Sequence, residues 1–235
     1  MAFNPTVTEL VTNVRQRTNM EKSLFVTDTE IVGLLNRAHA ELYDLVVSVN
    51  ENYFVNDSTF ALNGDEFYAL PADLYKLIGV DLHVDSDRTI SLRRFNFAER
   101  NKYKTTIYVP HIPASIYSYN VQGLRIKFIP KPIETRDITL WYVPLPSKLV
   151  LSNPQTGEVS SLDIRLAMYD DYVTIDAAIN VLIKEESSVT ALESERQIAK
   201  ERIIAAVSNR DQSEPDRIND QYAVNYPYFG GITPF

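Results

Sequence analysis

Three histidines, His39, His83 and His111, are the side chains best suited to proton transfer or metal binding near neutral pH. They stand far apart, in three different predicted elements, and none falls in an HExxH or HxH pattern. The chain has no cysteine, so a zinc site would have to be assembled from His and carboxylates alone. The nearest approach to a ligand cluster is Asp81, His83, Asp85 and Asp87. Strand alternation would put Asp81, His83 and Asp85 on one face. The same residues also read as a solvent-facing strand running into an Asp-Ser-Asp turn, where Asp bonds its own backbone, and that reading is preferred. Asp163, Asp170 and Asp171 precede and open a predicted helix, where carboxylates complement the helix dipole. A hydrolase built on such carboxylate pairs has no other support in the chain. The seven glycines form no GxGxxG, GxxxxGK[ST] or GxSxG pattern. The absence of cysteine removes disulfides, thiolate metal centres and cysteine nucleophiles together. No catalytic residue, cofactor site or metal site is expected.

Residues suited to contact other molecules are more plentiful. Arg88, Arg93, Arg94, Arg100, Lys102 and Lys104 make a basic island in an acidic chain, with Phe95, Phe97 and Tyr103 interleaved. Cations beside aromatics suit nucleic-acid stacking. They equally suit a seam against an acidic neighbour, or a solvated loop partly compensated by Asp85, Asp87 and Glu99. The fourteen tyrosines include Tyr117, Tyr119, Tyr142 and Tyr169, and tyrosine combines an apolar body with a hydrogen-bonding tip. Residues 211–235 hold three prolines and two glycines, have no amphipathic period, and carry Tyr222, Tyr226, Tyr228, Phe229 and Phe235. A purely disordered tail is usually poor in aromatics. This stretch is therefore expected to be an extended arm held by another chain, with folding back on its own domain as the alternative. Arg93, Arg94 and Arg100 join the arm aromatics as candidate partner-binding residues.

The elements that would position these residues follow from periodicity. Thr6-Val-Thr-Glu9 has capping-box spacing, and Val7, Leu10, Val11 and Val14 predict a helix over 7–18. Thr27-Asp-Thr-Glu30 predicts a second, stronger helix. Its stripe is Ile31, Leu34, Leu35, Ala38, Leu42, Leu45, Val46 and Val49, with Arg37, His39, Glu41 and Asp44 opposite. Residues 58–146 read as six or seven short strands bracketed by prolines. Asn63-Gly64 predicts a tight hairpin between Ser58–Leu62 and Asp65–Leu70. Further strands are predicted at Leu77–Val84, Thr89–Phe95, Ser115–Val121, Leu124–Ile129 and Ile138–Val143. After a polar loop over Ser152–Ser161, Met168, Tyr172, Ile175, Ile179, Leu182 and Ile183 form one helical stripe. Leu192, Ala199, Ile203 and Val207 form another, opened by a capping box at Thr190-Ala-Leu-Glu193. Two helices in a hairpin are favoured over one long helix. The expected fold class is α+β: a helical domain from 1–57 and 150–210, an inserted antiparallel β sandwich or barrel-like domain over 58–149, and the arm at 211–235.

A 45% hydrophobic composition suffices for a sizeable core, but no apolar run is long enough to span a bilayer. The opening MAFNPTVTEL shows no signal-peptide pattern, so no membrane partner is expected. The net charge of −8 argues against holding nucleic acid by bulk electrostatics. In a ring, that charge would multiply and could keep DNA from sticking to a central channel; simple solubility explains it equally well.

Four segments, in order, resemble the head-to-tail adaptor (connector) proteins of tailed bacteriophages. They are TEIVGLLNRAHAELYDLVV at 29–47, FYALPADLYKLIGVDL at 67–82, GLRIKFIPKP at 123–132 with LWYVPLPSKL at 140–149, and YDDYVTIDAAINVLIKEES at 169–187 followed by ERQIAKERI at 195–203. The resemblance spans about residues 20–210 and is carried by the order and spacing of fold-shaping motifs. It implies a structural virion protein that forms a homo-oligomeric ring, twelvefold in the usual case. Such a ring sits at the neck, binds the portal and the tail nozzle or tail tube proteins, and passes double-stranded DNA during genome ejection without binding it specifically. The β domain and the chain's size look more similar to adaptors of short-tailed phages. The chain would be made in the host cytoplasm. The alternative from the strands and tyrosines is a carbohydrate- or receptor-binding β module associated with the tail.

Overall fold

Thr6 starts the first helix by a complete capping box. The Thr6 N–H donates to Glu9 Oε2 at 2.8 Å, and the Glu9 N–H donates to Thr6 Oγ1 at 3.3 Å. The Thr6 N–H, and the Thr6 hydroxyl donating to the same Oε2 at 3.0 Å, hold the Glu9 carboxyl below its usual range. The computed structural model describes residues 4–101, 117–133, 135–151 and 160–210. Helix α1 spans Val7–Arg17 and buries Val7, Leu10, Val11 and Val14. Helix α2 spans Asp28–Val49, with Thr27 accepting from the Glu30 N–H. Here the box is only half made. Glu30 turns instead to Lys184, whose Nζ lies 2.6 Å from Glu30 Oε1.

Helix α2 buries a wider arc than its stripe predicts. Val32, His39, Tyr43 and Val47 are buried along with Ile31, Leu35, Ala38, Leu42 and Val46. His39, expected on the polar face, is 2% exposed. The reason is that α2 has covering groups on two sides. Helix α1 and the later helix α3 (Asp170–Lys184) lie against it, and the chain leaving the strands also crosses it, with Asn36 Nδ2 donating to the Leu149 carbonyl at 2.9 Å.

Two helices, not one, occupy the end of the described chain. Helix α3 spans Asp170–Lys184 and α4 spans Thr190–Ser208. Glu186 breaks them apart at φ 60°. Val189, not Thr190, is the N-cap of α4, and it makes no side-chain cap bond, so the third capping box does not form. Helix α3 packs against α1, α2 and α4 and is buried nearly all round, from Tyr172 through Ile179. Only the middle of its predicted stripe is core: Met168 and Ile183 lie exposed beyond it.

Among the described residues, the strand region holds two four-stranded sheets. Strands β1 (Asn56–Ala61), β3 (Leu74–Asp85), β4 (Arg88–Ser91) and β8 (Asp137–Pro144) form one, in the order β1-β8-β3-β4 and antiparallel throughout. Strands β2 (Phe67–Ala69), β5 (Arg93–Arg94), β6 (Ser118–Gln122) and β7 (Arg125–Ile129) form the other, in the order β2-β7-β6-β5, with β5 parallel to β6. The sheets do not close into a barrel, because each ends in two edge strands. Their side chains share one apolar cluster that includes Val80, Leu82, Ile138 and Leu140 from the first sheet and Tyr119, Ile126 and Phe128 from the second.

The predicted Asn63-Gly64 hairpin is not made. Gly64 does take the positive φ of a turn, 88°, but β1 pairs with β8 and β2 pairs with β7, so this turn carries the chain from one sheet to the other. The tight hairpins lie elsewhere. Gln122 faces Arg125 across Gly123-Leu124, with Gly123 at φ 61°, and Asp85 faces Arg88 across Ser86-Asp87. The run predicted as one strand at Thr89–Phe95 is two strands, and Leu92 marks the passage between sheets.

Helices and strands meet along a polar and aromatic seam. The Tyr43 hydroxyl donates to the Pro144 carbonyl at 2.7 Å, and burial pushes that phenol up to about 12. Tyr75 donates to Asp44 Oδ1 at 2.5 Å, and Lys76 pairs with Glu51 at 3.1 Å. Tyr43 stacks on Phe54 with centroids 4.2 Å apart, and Arg165 covers Phe54 at 4.7 Å. Arg210, two residues past α4, lies 4.0 Å over the Tyr53 ring.

Candidate functional site

The histidines and carboxylates singled out in the sequence do not converge. His39 sits inside the helical layer, where burial lowers its pKa and the Asp163 charge works the other way. Its Nε2 has no hydrogen-bond partner among the described residues. Burial raises the Asp163 carboxyl, but hydrogen bonds and charge from Arg165 outweigh that and hold it below its usual range. Arg165 grips it with Nη2 at 2.7 Å from Oδ2 and Nε at 3.0 Å from Oδ1. Asp170 and Asp171 open α3, and Asp171 pairs with Arg17 at 2.6 Å. Burial and the neighbouring Asp171 raise the Asp170 carboxyl.

His83 lies in a hydrogen-bond ladder across the first sheet. Thr59 and Thr139 join at 2.9 Å, Thr139 meets His83 Nε2 at 2.8 Å, and Thr89 meets His83 Nδ1 at 3.1 Å. Asp81 accepts from Trp141 Nε1 at 2.7 Å and from Ser91 at 2.6 Å. Asp81 and His83 do share a face, as alternation predicts, while Asp85 precedes the tight turn and Asp87 lies within it. These groups satisfy one another across four strands, an arrangement that rigidifies a sheet face. Among the described residues, no group of three or more His, Asp or Glu is placed to hold a metal ion. His111 lies outside the described residues.

The basic island divides. Arg88 belongs to the first sheet, opposite Asp85, whereas Arg93 and Arg94 form β5 at the edge of the second. Phe95 turns inward and is buried; its N–H donates to the Tyr119 carbonyl at 2.9 Å, and its carbonyl accepts from Asn120 Nδ2 at 3.0 Å. Asn96 then caps a short 3-10 turn, Phe97–Glu99, by accepting from the Ala98 N–H. That turn leaves Phe97 54% exposed, with the Arg100 guanidinium 4.7 Å from its ring centroid. Arg94, Phe95, Asn96, Phe97 and Asn120 line an open groove of about 450 Å³. Lys102, Tyr103 and Lys104, and the arm residues Tyr222, Tyr226, Tyr228, Phe229 and Phe235, lie outside the described residues.

The helical layer carries exposed apolar side chains that the sequence reading did not single out as contacts. Leu24 and Phe25, in the loop between α1 and α2, are exposed, and Lys184 lies 5.1 Å over the Phe25 ring beside exposed Ile183. Ile164 and Met168 are exposed just before α3. Helix α4 buries only Ile203 and Val207 fully and leaves Ile198 and Ile204 exposed. The clue in the sequence was the weak amphipathic period of α4, which puts apolar residues on more than one face. None of the described helices is long and apolar enough to cross a membrane.

The arrangement offers apolar and cationic contact surfaces on a rigid frame. A comparison with curated proteins finds no match. The family model for the SU10 adaptor protein matches residues 5–219, which takes in the four described helices and both described sheets. The chain therefore belongs to the SU10 adaptor protein family, and is a structural adaptor protein of a bacteriophage virion.

Proposed function

We propose that the chain is a ring-forming subunit at the phage neck that joins the portal to the tail and lines the passage for DNA. The single observation that carries this reading is the adaptor-family match running over helices and sheets alike. The exposed apolar residues of the helical layer support it, since a ring subunit must present two different faces to its neighbours. The net charge of −8, multiplied around a ring, would keep double-stranded DNA from adhering. Twelve copies, the portal on one face and the nozzle or tail tube on the other, and a short-tailed particle are the finer terms of the proposal.

Within the subunit, residues 1–57 and 150–210 act as the helical adaptor domain and 58–149 as an inserted β domain. Two apolar clusters support that division, one mostly of helical residues joined by Val143 and Leu149, the other wholly of the strand region. The 211–235 arm, with its tyrosines and phenylalanines, and Arg93, Arg94 and Arg100 are the proposed partner-binding residues. Reconstruction of the intact particle tests the reading. The chain's helices and sheets should fit density between portal and tail, and their placement in the capsid shell or on a fibre would overturn it.

A further inference from the structure

We infer that the groove around Arg94 and Phe97 takes the 211–235 arm of a second copy of this chain. The inference rests on the ring reading above and names one contact that would join neighbouring subunits. Two features of the groove call for an occupant. Arg94, which lines it, has no ion pair among the described residues, nor has the adjacent Arg93, and Phe97 stands half exposed beside Arg100. A charged edge strand guards a sheet against unwanted pairing, which accounts for β5. It does not account for an exposed aromatic ring beside the Arg100 guanidinium on an open groove of about 450 Å³ that Arg94 also lines.

The arm has the complementary chemistry. Asp211, Glu214, Asp216 and Asp220 oppose a single Arg217, and Tyr222, Tyr226, Tyr228 and Phe229 follow. Carboxylates can pair with guanidinium groups through charge-assisted hydrogen bonds. Tyrosine rings can stack on Phe97 or against arginine. Reach is no obstacle. Arg210, fixed over Tyr53, sets the root, and the residues beyond it extend at most about 80–90 Å. In a ring, such a tether holds the arm at roughly millimolar effective concentration, so a weak contact suffices.

The absence of cysteine makes the test clean. Full-length Ala98→Cys and full-length Asn225→Cys chains are mixed and oxidised gently, with assembly followed by light scattering. The expected result is a disulfide-linked pair containing one chain of each kind. Its yield should fall at least tenfold when Arg93→Glu and Arg94→Glu are added to the Ala98→Cys chain, with helix and strand content unchanged by circular dichroism. A bridge indifferent to these charge reversals overturns the groove as the docking site. A third chain carries both Ala98→Cys and Asn225→Cys, and a bridge that forms only within single molecules of it shows the arm folding back on its own copy and overturns the exchange. Chains that assemble without bridging overturn the inference and leave the ring reading standing. Chains that neither bridge nor assemble overturn it too, and the ring reading is then judged by mixing with the portal.

Discussion

The Asn36 side chain pairs with both backbone groups of Leu149. Its Nδ2 donates to the carbonyl at 2.9 Å, and the Leu149 N–H donates to its Oδ1 at 2.8 Å. One amide from α2 thus does for the returning chain what a neighbouring strand would do. It holds Leu149, itself fully buried, against the helical layer at the point where the sheets hand over to the helices. Asn36→Ala would leave two backbone groups without partners and should cost about 1–3 kcal/mol. Asn36→Asp should cost a comparable amount, because it keeps the acceptor and sets a carboxylate against the Leu149 carbonyl. Urea unfolding followed by circular dichroism measures both.

Arg196 and Asp176 tie α4 to α3. Arg196 Nη1 lies 2.6 Å from Asp176 Oδ1, and the Asp176 side chain is almost wholly buried. Arg196→Ala strands a buried carboxylate and should destabilise the chain by about 2–4 kcal/mol. The double change Arg196→Ala with Asp176→Asn should be less harmful than the single change, since it removes the charge that was left unpaired. Chemical denaturation of the four proteins in this cycle gives the comparison.

His39 predicts a pH dependence with a definite sign. Burial lowers its folded-state pKa below the value of about 6.5 expected in the unfolded chain. Between those two values the unfolded chain binds more protons, so stability rises with pH. The contribution is complete above about pH 6.5 and is lost as pH falls through the folded value. Asp163 works in a lower window: its carboxyl is held below the usual range, so its contribution disappears only in stronger acid. His39→Gln should flatten the stability profile below about pH 6.5 relative to the unaltered chain. An unchanged slope in the variant would show that His39 is not its source.

Gly123 sits at φ 61° in the two-residue turn between β6 and β7. A Cβ there would meet nothing within 4 Å, so the cost of Gly123→Ala is backbone strain alone. It should amount to about 1–2 kcal/mol. Thermal unfolding of the variant checks this, and Gly33→Ala, which also meets nothing within 4 Å but lies inside α2, should be neutral or stabilising.

What could be read from the sequence was what depends on near neighbours. The boxes at Thr6 and Thr27 place the starts of α1 and α2, because a cap is settled within four residues. The Asn63-Gly64 turn was read correctly as a turn and wrongly as a hairpin. Its φ is local, but the partners of β1 and β2 are β8 and β7, far along the chain. His39 was assigned to solvent because one helical stripe was counted, whereas α2 is covered on two sides. The basic island was visible as composition. Only the fold separates Arg88 from Arg93 and Arg94, buries Phe95 and leaves Phe97 outside.

The most direct test of the neck-ring proposal is to mix the purified chain with its cognate portal and image the product. The account predicts a closed ring of the chain, coaxial with the portal and seated on one of its faces. A chain that remains monomeric and ignores the portal would contradict it.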